Sequence, residues 1–182
     1  MATYIVDVFH SSVNFTIKHM MITKVNGTFD SFSAQIEAND IEAFDISTIR
    51  FDLDVASINT RDVSRDHHLI SADFFDADRY PKISFVLTST EGTNNPYKLH
   101  GNLTIKDVTR PVTFDVTYNG HVKSPWEAEA YGFSCTTVIN RKDFGLVYNA
   151  TLEAGGFLID ELVKISVELE LEQHKHLLHN SI

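Results

Sequence analysis

A chain of 182 residues has the length of one domain, and its formal net charge of −10 excludes a nucleic-acid binder, which needs a basic patch, and opposes docking on an anionic membrane by charge alone. Apolar residues make up 43%, with 13 Phe and 6 Tyr against 1 Trp, and Phe is bulky, β-favouring and free of polar atoms, as the inside of a barrel requires. The one cysteine, Cys135, precludes an internal disulfide or a cysteine zinc site and reads as a buried small hydrophobe.

The opening MATYIVDVFHSS has neither a basic start nor an apolar run of about 7–15 residues, so no signal peptide is expected. The chain as given reads as cytoplasmic; a leader removed beforehand would make it periplasmic. No apolar run reaches the roughly 18 residues of a membrane span, so no integral membrane insertion is expected. Residues 4–7 predict a short strand. Residues 12–19 alternate, with Val13, Phe15 and Ile17 on one face, which predicts a strand with one face buried. Residues 20–24 read as a turn or short helical piece, and Gly27 as a bend before a strand over 28–38. Residues 49–58 repeat the rhythm through Ile49, Phe51, Leu53 and Val55.

Residues 61–85 break it. A short helix is expected around 62–73, with Thr60, Asp62 or Ser64 as N-cap and Asp62 and Asp66 near its positive end. Phe74 and Phe75 follow, and Pro81 hands over to a strand. A helix with titratable residues and a double Phe, set among strands, reads as a lid or plug. Strands are then expected over 82–90, 97–105, 112–122, 131–139 and 163–171, with EGTNNP (91–96) as a turn and 106–111 as a connection. Residues 141–145 read as a turn or a single helical turn, Gly155-Gly156 as another turn, and QHKHLLHNSI as a frayed tail after a barrel domain over 1–173. On the last strand Val163, Ile165, Val167, Leu169 and Leu171 face in, while Lys164, Glu168, Glu170 and Glu172 face solvent. About eight long strands with little helix favour an all-β antiparallel barrel or sandwich; strands of nine residues or more favour the barrel, which leaves no aggregation-prone edges.

Four kinds of chemistry are open to these residues. The inward positions Phe15, Ile17, Phe51, Leu53, Phe85, Leu103, Phe114, Phe133, Ile165 and Val167, with Phe74, supply apolar surface that either fills an ordinary core or lines a ligand cavity. A polar set, His10, His19, Arg65, Asp66, His68, Arg141 and Asp143, either receives a head group at the mouth, where an Arg pairs a phosphate or quinone oxygen, or pins the helix to the barrel as an Arg–Asp network. No native metal site is expected: His67 and His68 would point about 100° apart on a helix. His174, His176 and His179 are loosely spaced, and no HExxH occurs. No catalytic set stands out, since Ser11 beside His10 is no triad and no GxSxG elbow or glycine-rich phosphate loop is present.

One ordered set of motifs runs along the chain. It begins with His10-Ser11-Ser12-Val13-Asn14-Phe15 and Lys18-His19-Met20, then Val25-Asn26-Gly27-Thr28-Phe29. Ser57-Ile58-Asn59-Thr60, Arg65-Asp66-His67-His68-Leu69, Phe74-Phe75-Asp76 and Tyr80-Pro81-Lys82-Ile83-Ser84-Phe85 follow. Gly101-Asn102-Leu103-Thr104-Ile105, Val108-Thr109-Arg110-Pro111-Val112, Ile139-Asn140-Arg141 and Asp143-Phe144-Gly145-Leu146 complete it, over roughly residues 4–171. This ordered set resembles the YceI family of lipocalin-like lipid-binding proteins, and the resemblance implies an eight-stranded antiparallel barrel enclosing a polyisoprenoid, prenyl phosphate, quinone or similar lipid, for carriage or storage without turnover. It implies the apolar set as tail-binding, the polar set as head-group or mouth residues, no cofactor besides the lipid, and a homodimer. Many family members are exported, from which the absence of a leader here departs. Two rivals stay open: a lipid-modifying enzyme of the same fold using His19, His68 and Asp66 as acid or base, and a filled barrel whose outside binds a protein.

Overall fold

The computed structural model describes residues 1–126, 128–150, 152 and 158–174. The expected turn at Gly155-Gly156, and His176 and His179 of the expected tail, lie outside them. The strands are β1 (Ala2–Val6), β2 (Ser12–His19), β3 (Thr23–Phe29), β4 (Phe32–Asp40), β5 (Asp45–Asp54), β6 (Ile58–Asn59), β7 (Lys82–Glu91), β8 (Tyr97–Ile105), β9 (Val108–Lys123), β10 (Glu129–Asn140) and β11 (Ile159–Gln173). One helix, α1 (Val63–Ile70), lies between β6 and β7.

All pairings are antiparallel. Neighbours run β1-β4-β5-β7-β8-β9-β10-β11, and β1 returns to β11, so the sheet closes into an eight-stranded barrel. Beyond β1, β11 pairs with β2, which pairs with β3, which pairs with β6. β1/β2, β3/β4 and β5/β6 are therefore three interrupted strands of the ring.

The two-residue alternation builds these strands as expected. In β8 Tyr97, Leu99, Gly101, Leu103 and Ile105 are all buried, with the residues between them turned outward. Two glycines let aromatic rings lie flat on the inner wall. A Cβ at Gly27 would fall 2.2 Å from Phe15 Cζ, and one at Gly101 would fall 2.6 Å from the Val86 carbonyl and 2.3 Å from Phe85 Cζ. Gly27 is therefore not the expected bend: it sits inside β3, directly opposite Phe15.

Other boundaries move for physical reasons. β9 begins at Val108, so the expected connection over 106–111 is mostly strand. Pro111 is tolerated there because β10 pairs with β9 only from Asp115 onward, so the stretch around Pro111 has β8 alone as a partner. Gln173 pairs with Tyr4, and the His174 N–H donates to the Thr3 carbonyl at 2.7 Å, so the expected fraying does not start at 173. The helix is shorter than expected. Asp62 caps it, accepting the Arg65 N–H at 3.1 Å. At Ser71 the backbone turns extended and the hydroxyl donates to the His68 carbonyl at 2.6 Å. The chain then folds back, with the Phe75 N–H on the Leu69 carbonyl at 3.0 Å, which drives Phe74 and Phe75 toward the barrel.

Candidate functional site

The barrel encloses a cavity of about 460 Å3, within the usual range for small-molecule sites of roughly 300–1,000 Å3. Its walls are apolar. All eleven of the apolar residues singled out from the sequence line it: Phe15 and Ile17 from β2, Phe51 and Leu53 from β5, Phe85 from β7, Leu103 from β8, Phe114 from β9, Phe133 from β10, Ile165 and Val167 from β11, and Phe74 from the cap.

One end is sealed. Asp40 accepts the N–H groups of Glu42 and Ala43 and shapes the β4–β5 turn, which drives Ile41 and Phe44 into the barrel. Phe44 adopts a left-handed backbone (φ 58°) and stacks on Tyr97 at 4.6 Å. Burial of the ring, worth about 1.5–3 kcal/mol, offsets that strain. Tyr118 stacks on Phe133 at 5.0 Å and donates its hydroxyl to Glu42 at 2.9 Å; burial and then this carboxylate hold its pKa well above the usual phenol value. Tyr131 stacks on His121 at 4.4 Å, and burial, with Glu129 beside it, pushes its pKa up to about 12. Phe44 and Phe133 thus form an aromatic floor to the cavity, with Tyr97 and Tyr118 stacked on them from outside the lining.

The other end carries the polar residues. His68, Phe74 and Tyr148 form a triangle with ring centroids 4.9–5.0 Å apart, and His68 Nε2 lies 2.8 Å from Asp73. Phe75 packs edge-on to Phe29. Thr60, only 3% exposed, organises the lid. Its N–H and hydroxyl donate to Asp66 at 2.9 and 2.6 Å, and it accepts Arg65 Nε on the hydroxyl and Nη2 on the carbonyl, both at 2.7 Å.

Of the polar set, His19, Arg65, His68 and Arg141 line the cavity, whereas His10, Asp66 and Asp143 do not. The expected gathering of all seven at the mouth is corrected accordingly. Asp66 is spent on Thr60. Asp143 is exposed on the helical turn Arg141–Phe144, where its carbonyl accepts Arg110. His10 lies in the β1–β2 break, bonded to Asp7. The two arginines differ. Arg141, 3% exposed, gives four of its five N–H donors to the carbonyls of Leu146, Tyr148, Ile159 and Asp160. Arg65 gives two, leaving three without an acceptor among the described residues. Among the described residues Arg65 therefore has three donors left for a head group, against one on Arg141.

Sequence reasoning missed Thr60 as an organiser, Tyr148 as a lining residue at the mouth and Phe44 as part of the floor. Thr60 was visible only as a cap candidate. Tyr148 and Phe44 lie in irregular segments without periodicity. Cys135 faces the cavity, and burial pushes its thiol pKa up to about 12, so it is a wall group rather than a nucleophile.

His10 titrates above its ordinary 6.5, first because its ring donates to Asp7 at 2.7 Å, with Asp7, Glu170 and Glu172 adding attraction; Asp7 falls below its ordinary 3.8 for the same bond. A raised histidine pKa stabilises the fold below the unfolded value and is lost as pH rises through the folded one; a depressed carboxylate is lost as pH falls. The 7–10 turn is therefore tightest between about pH 4 and 6.5. A proton-NMR titration is expected to place His10 above 6.5, and Asp7→Asn to return it there. An unmoved midpoint in the variant would contradict the pairing. Asp7, His10 and Glu170 offer ligand atoms within 4.8 Å of one another, a trio hidden in the sequence because Glu170 comes from β11.

The YceI-like domain matches residues 4–171. The UPF0312 protein SAS2572 of Staphylococcus aureus (strain MSSA476) is 39% identical over 171 residues, covering 93% of this chain and 97% of that protein. The crystal structure of BcnA from Burkholderia cenocepacia superposes with a TM-score of 0.77 at 26% identity, covering 91% of this chain and 98% of that one. A polyisoprenoid-binding domain of Saccharophagus degradans implicated in plant cell wall breakdown superposes with a TM-score of 0.67, covering 96% and 100%; at 15% identity it bears on the fold alone.

Proposed function

Since the chain belongs to the YceI family, matched over residues 4–171, we propose that it binds a long-chain apolar lipid, a polyisoprenoid in particular, inside the barrel and carries or stores it without turnover. The observation that carries this reading is the cavity itself: about 460 Å3, walled by apolar side chains, closed by an aromatic floor and polar only at one end. That polarity gradient suits a molecule with a long tail and a small head. The tail lies among the strand residues from Phe15 to Val167, and the head stays beside Arg65, His19 and His68.

Two rival readings fit less well. An enzyme using His19, His68 and Asp66 needs all three at the substrate, yet Asp66 is turned to Thr60. A filled barrel has no need of an open interior of this size. A second copy is not required either, because one chain closes the barrel on itself.

Native mass spectrometry of the purified protein, followed by organic extraction, tests the reading. A stoichiometric long-chain adduct is the expected result and identifies the lipid. An apo mass, together with added prenyl lipids that neither bind nor raise thermal stability, would overturn it.

Arg65 gives a finer test. Its free donors would bond a phosphate oxygen, and one such charge-assisted hydrogen bond is worth about 1.5–3 kcal/mol. Arg65→Ala is expected to weaken a prenyl phosphate by about 10- to 100-fold and a prenol of equal length far less, read by fluorescence titration. Equal losses would mean that Arg65 only holds the lid through Thr60.

A further inference from the structure

The mouth end of the barrel is also where exposed apolar side chains stand beside cations that make no ion pair among the described residues. The β2–β3 hairpin turns through Met20, Met21 and Ile22, with Met21 68% and Ile22 77% exposed. The Ile22 N–H donates to the His19 carbonyl at 3.2 Å, and the two residues between have positive φ, 53° at Met20 and 63° at Met21. A turn of that shape favours Asn-Gly. Two methionines in left-handed backbone break the local preference while presenting apolar surface to water, and such departures gather at functional sites.

Cations frame this tip. Lys18 and Lys24 are exposed and sit opposite each other across the hairpin stem. Arg61, also exposed, borders the same groove as His19, Thr23 and Lys24. None of the three makes an ion pair among the described residues. Val63, 74% exposed, follows Arg61 by two positions, and Val147, 62% exposed, precedes the mouth residue Tyr148.

We propose that this rim docks on an anionic phospholipid bilayer, with Met21 and Ile22 inserted among the headgroups and Lys18, Lys24 and Arg61 against lipid phosphates. The lipid-binding reading supplies the purpose, since an apolar cargo then passes between bilayer and cavity without crossing water, but the docking itself requires no cargo. The net charge of −10 sharpens the orientation. An anionic surface repels the acidic groups of the molecule, exposed Asp62 and Asp73 on the lid among them, so the hairpin tip between Lys18 and Lys24 leads the approach, and salt weakens the attraction. Charge alone opposes such docking, as the composition indicates; a local cationic collar around an apolar tip is what permits it.

Co-sedimentation of the full chain with vesicles tests this, using phosphatidylcholine alone against phosphatidylcholine with about 30 mol% phosphatidylglycerol. Binding to the anionic vesicles only, reversed by salt, is expected. Met21→Asp/Ile22→Asp is expected to reduce partitioning at least about tenfold, and Lys24→Ser or Arg61→Ser about fivefold each. Trp126, 88% exposed in the β9–β10 loop at the opposite end, is the built-in control. In Ile22→Trp/Trp126→Phe the new indole is expected to shift blue and be quenched by brominated lipid, whereas Trp126 of the unaltered chain is not. Absence of vesicle binding, equal binding by the tip variants, or quenching of Trp126 would each overturn the docking. Cargo affinity of Met21→Asp/Ile22→Asp in detergent solution separates the two ideas. Normal cargo affinity with lost vesicle binding supports both, and vesicle binding by a chain that takes no cargo supports docking while removing carriage.

Discussion

Arg141→Ala is expected to lower the unfolding free energy by about 3–5 kcal/mol, which for a chain of this size is a fall in Tm of roughly 6–20 °C. The guanidinium is 3% exposed, and burial lowers its pKa from 12.5 without neutralising it. It is held by carbonyls rather than by a carboxylate partner: Asp160 at 2.8 Å, Tyr148 at 2.9 Å, Ile159 at 3.4 Å, and Leu146. Truncation would leave four carbonyls competing for water in a site with little room for it. Arg141→Lys would rescue only partly, because one ammonium cannot span carbonyls that three guanidinium nitrogens now reach. The same bonds fix residues 146–148 against the start of β11, so the mouth residue Tyr148 would loosen with them. Urea denaturation of the variant measures the cost. A loss under about 1 kcal/mol would show that water replaces the clamp and that Arg141 is free for a head group after all.

Arg141 illustrates where the sequence is legible and where it is not. Its residue type and its nearness to Asp143 point to a charged mouth residue, yet its partners are backbone carbonyls, which leave no trace in residue identity. The strands are legible because one face of each is buried, and a period of two survives any tertiary arrangement. Residues 12–19 and 97–105 are strands with the bounds their alternation predicts. β3 began earlier than expected because Thr23-Lys24-Val25-Asn26 has only one apolar residue; its pairing with β2, not its composition, makes it a strand. Pro111 misled for the opposite reason, since its missing N–H costs little where β10 does not reach. The inward Phe, Leu, Ile and Val positions were readable as a lining. Whether they met in the middle or left a cavity was not, because that depends on barrel closure and on how far the Ile41–Phe44 turn and the Phe74–Phe75 cap project inward. The polar set divided along the same line. Asp66 and Arg65 share a helix, but Thr60 decides that the acid faces inward to the backbone and the base keeps donors for the mouth.

Affinity for prenyl ligands is expected to climb steeply with tail length and then stop. Each buried CH2 contributes about 0.8 kcal/mol, so a five-carbon unit adds at most about 4 kcal/mol before ordering costs. About tenfold or more per unit is the expectation while the tail still finds wall to cover, within the general ceiling of about 18–21 kcal/mol. The plateau would mark the length at which the tail meets the aromatic floor of Phe44 and Phe133. Val116→Phe tests that assignment. Val116 is 2% exposed, lines the cavity and lies opposite Cys135 on one side and Tyr97 on the other. A ring there raises the floor by roughly two CH2 groups. It should weaken the longest tail by about tenfold, leave the shortest unchanged, and move the plateau to a shorter ligand. Titration of a prenol series against both proteins reads all three effects. An affinity that ignores tail length would mean that the tail lies outside the barrel, and a uniform loss in Val116→Phe would mean that the substitution strains the wall rather than shortening the cavity. If the proposed lipid binding holds, the length at which the two series diverge would measure how deep a tail reaches, and tail length would be the property this barrel selects.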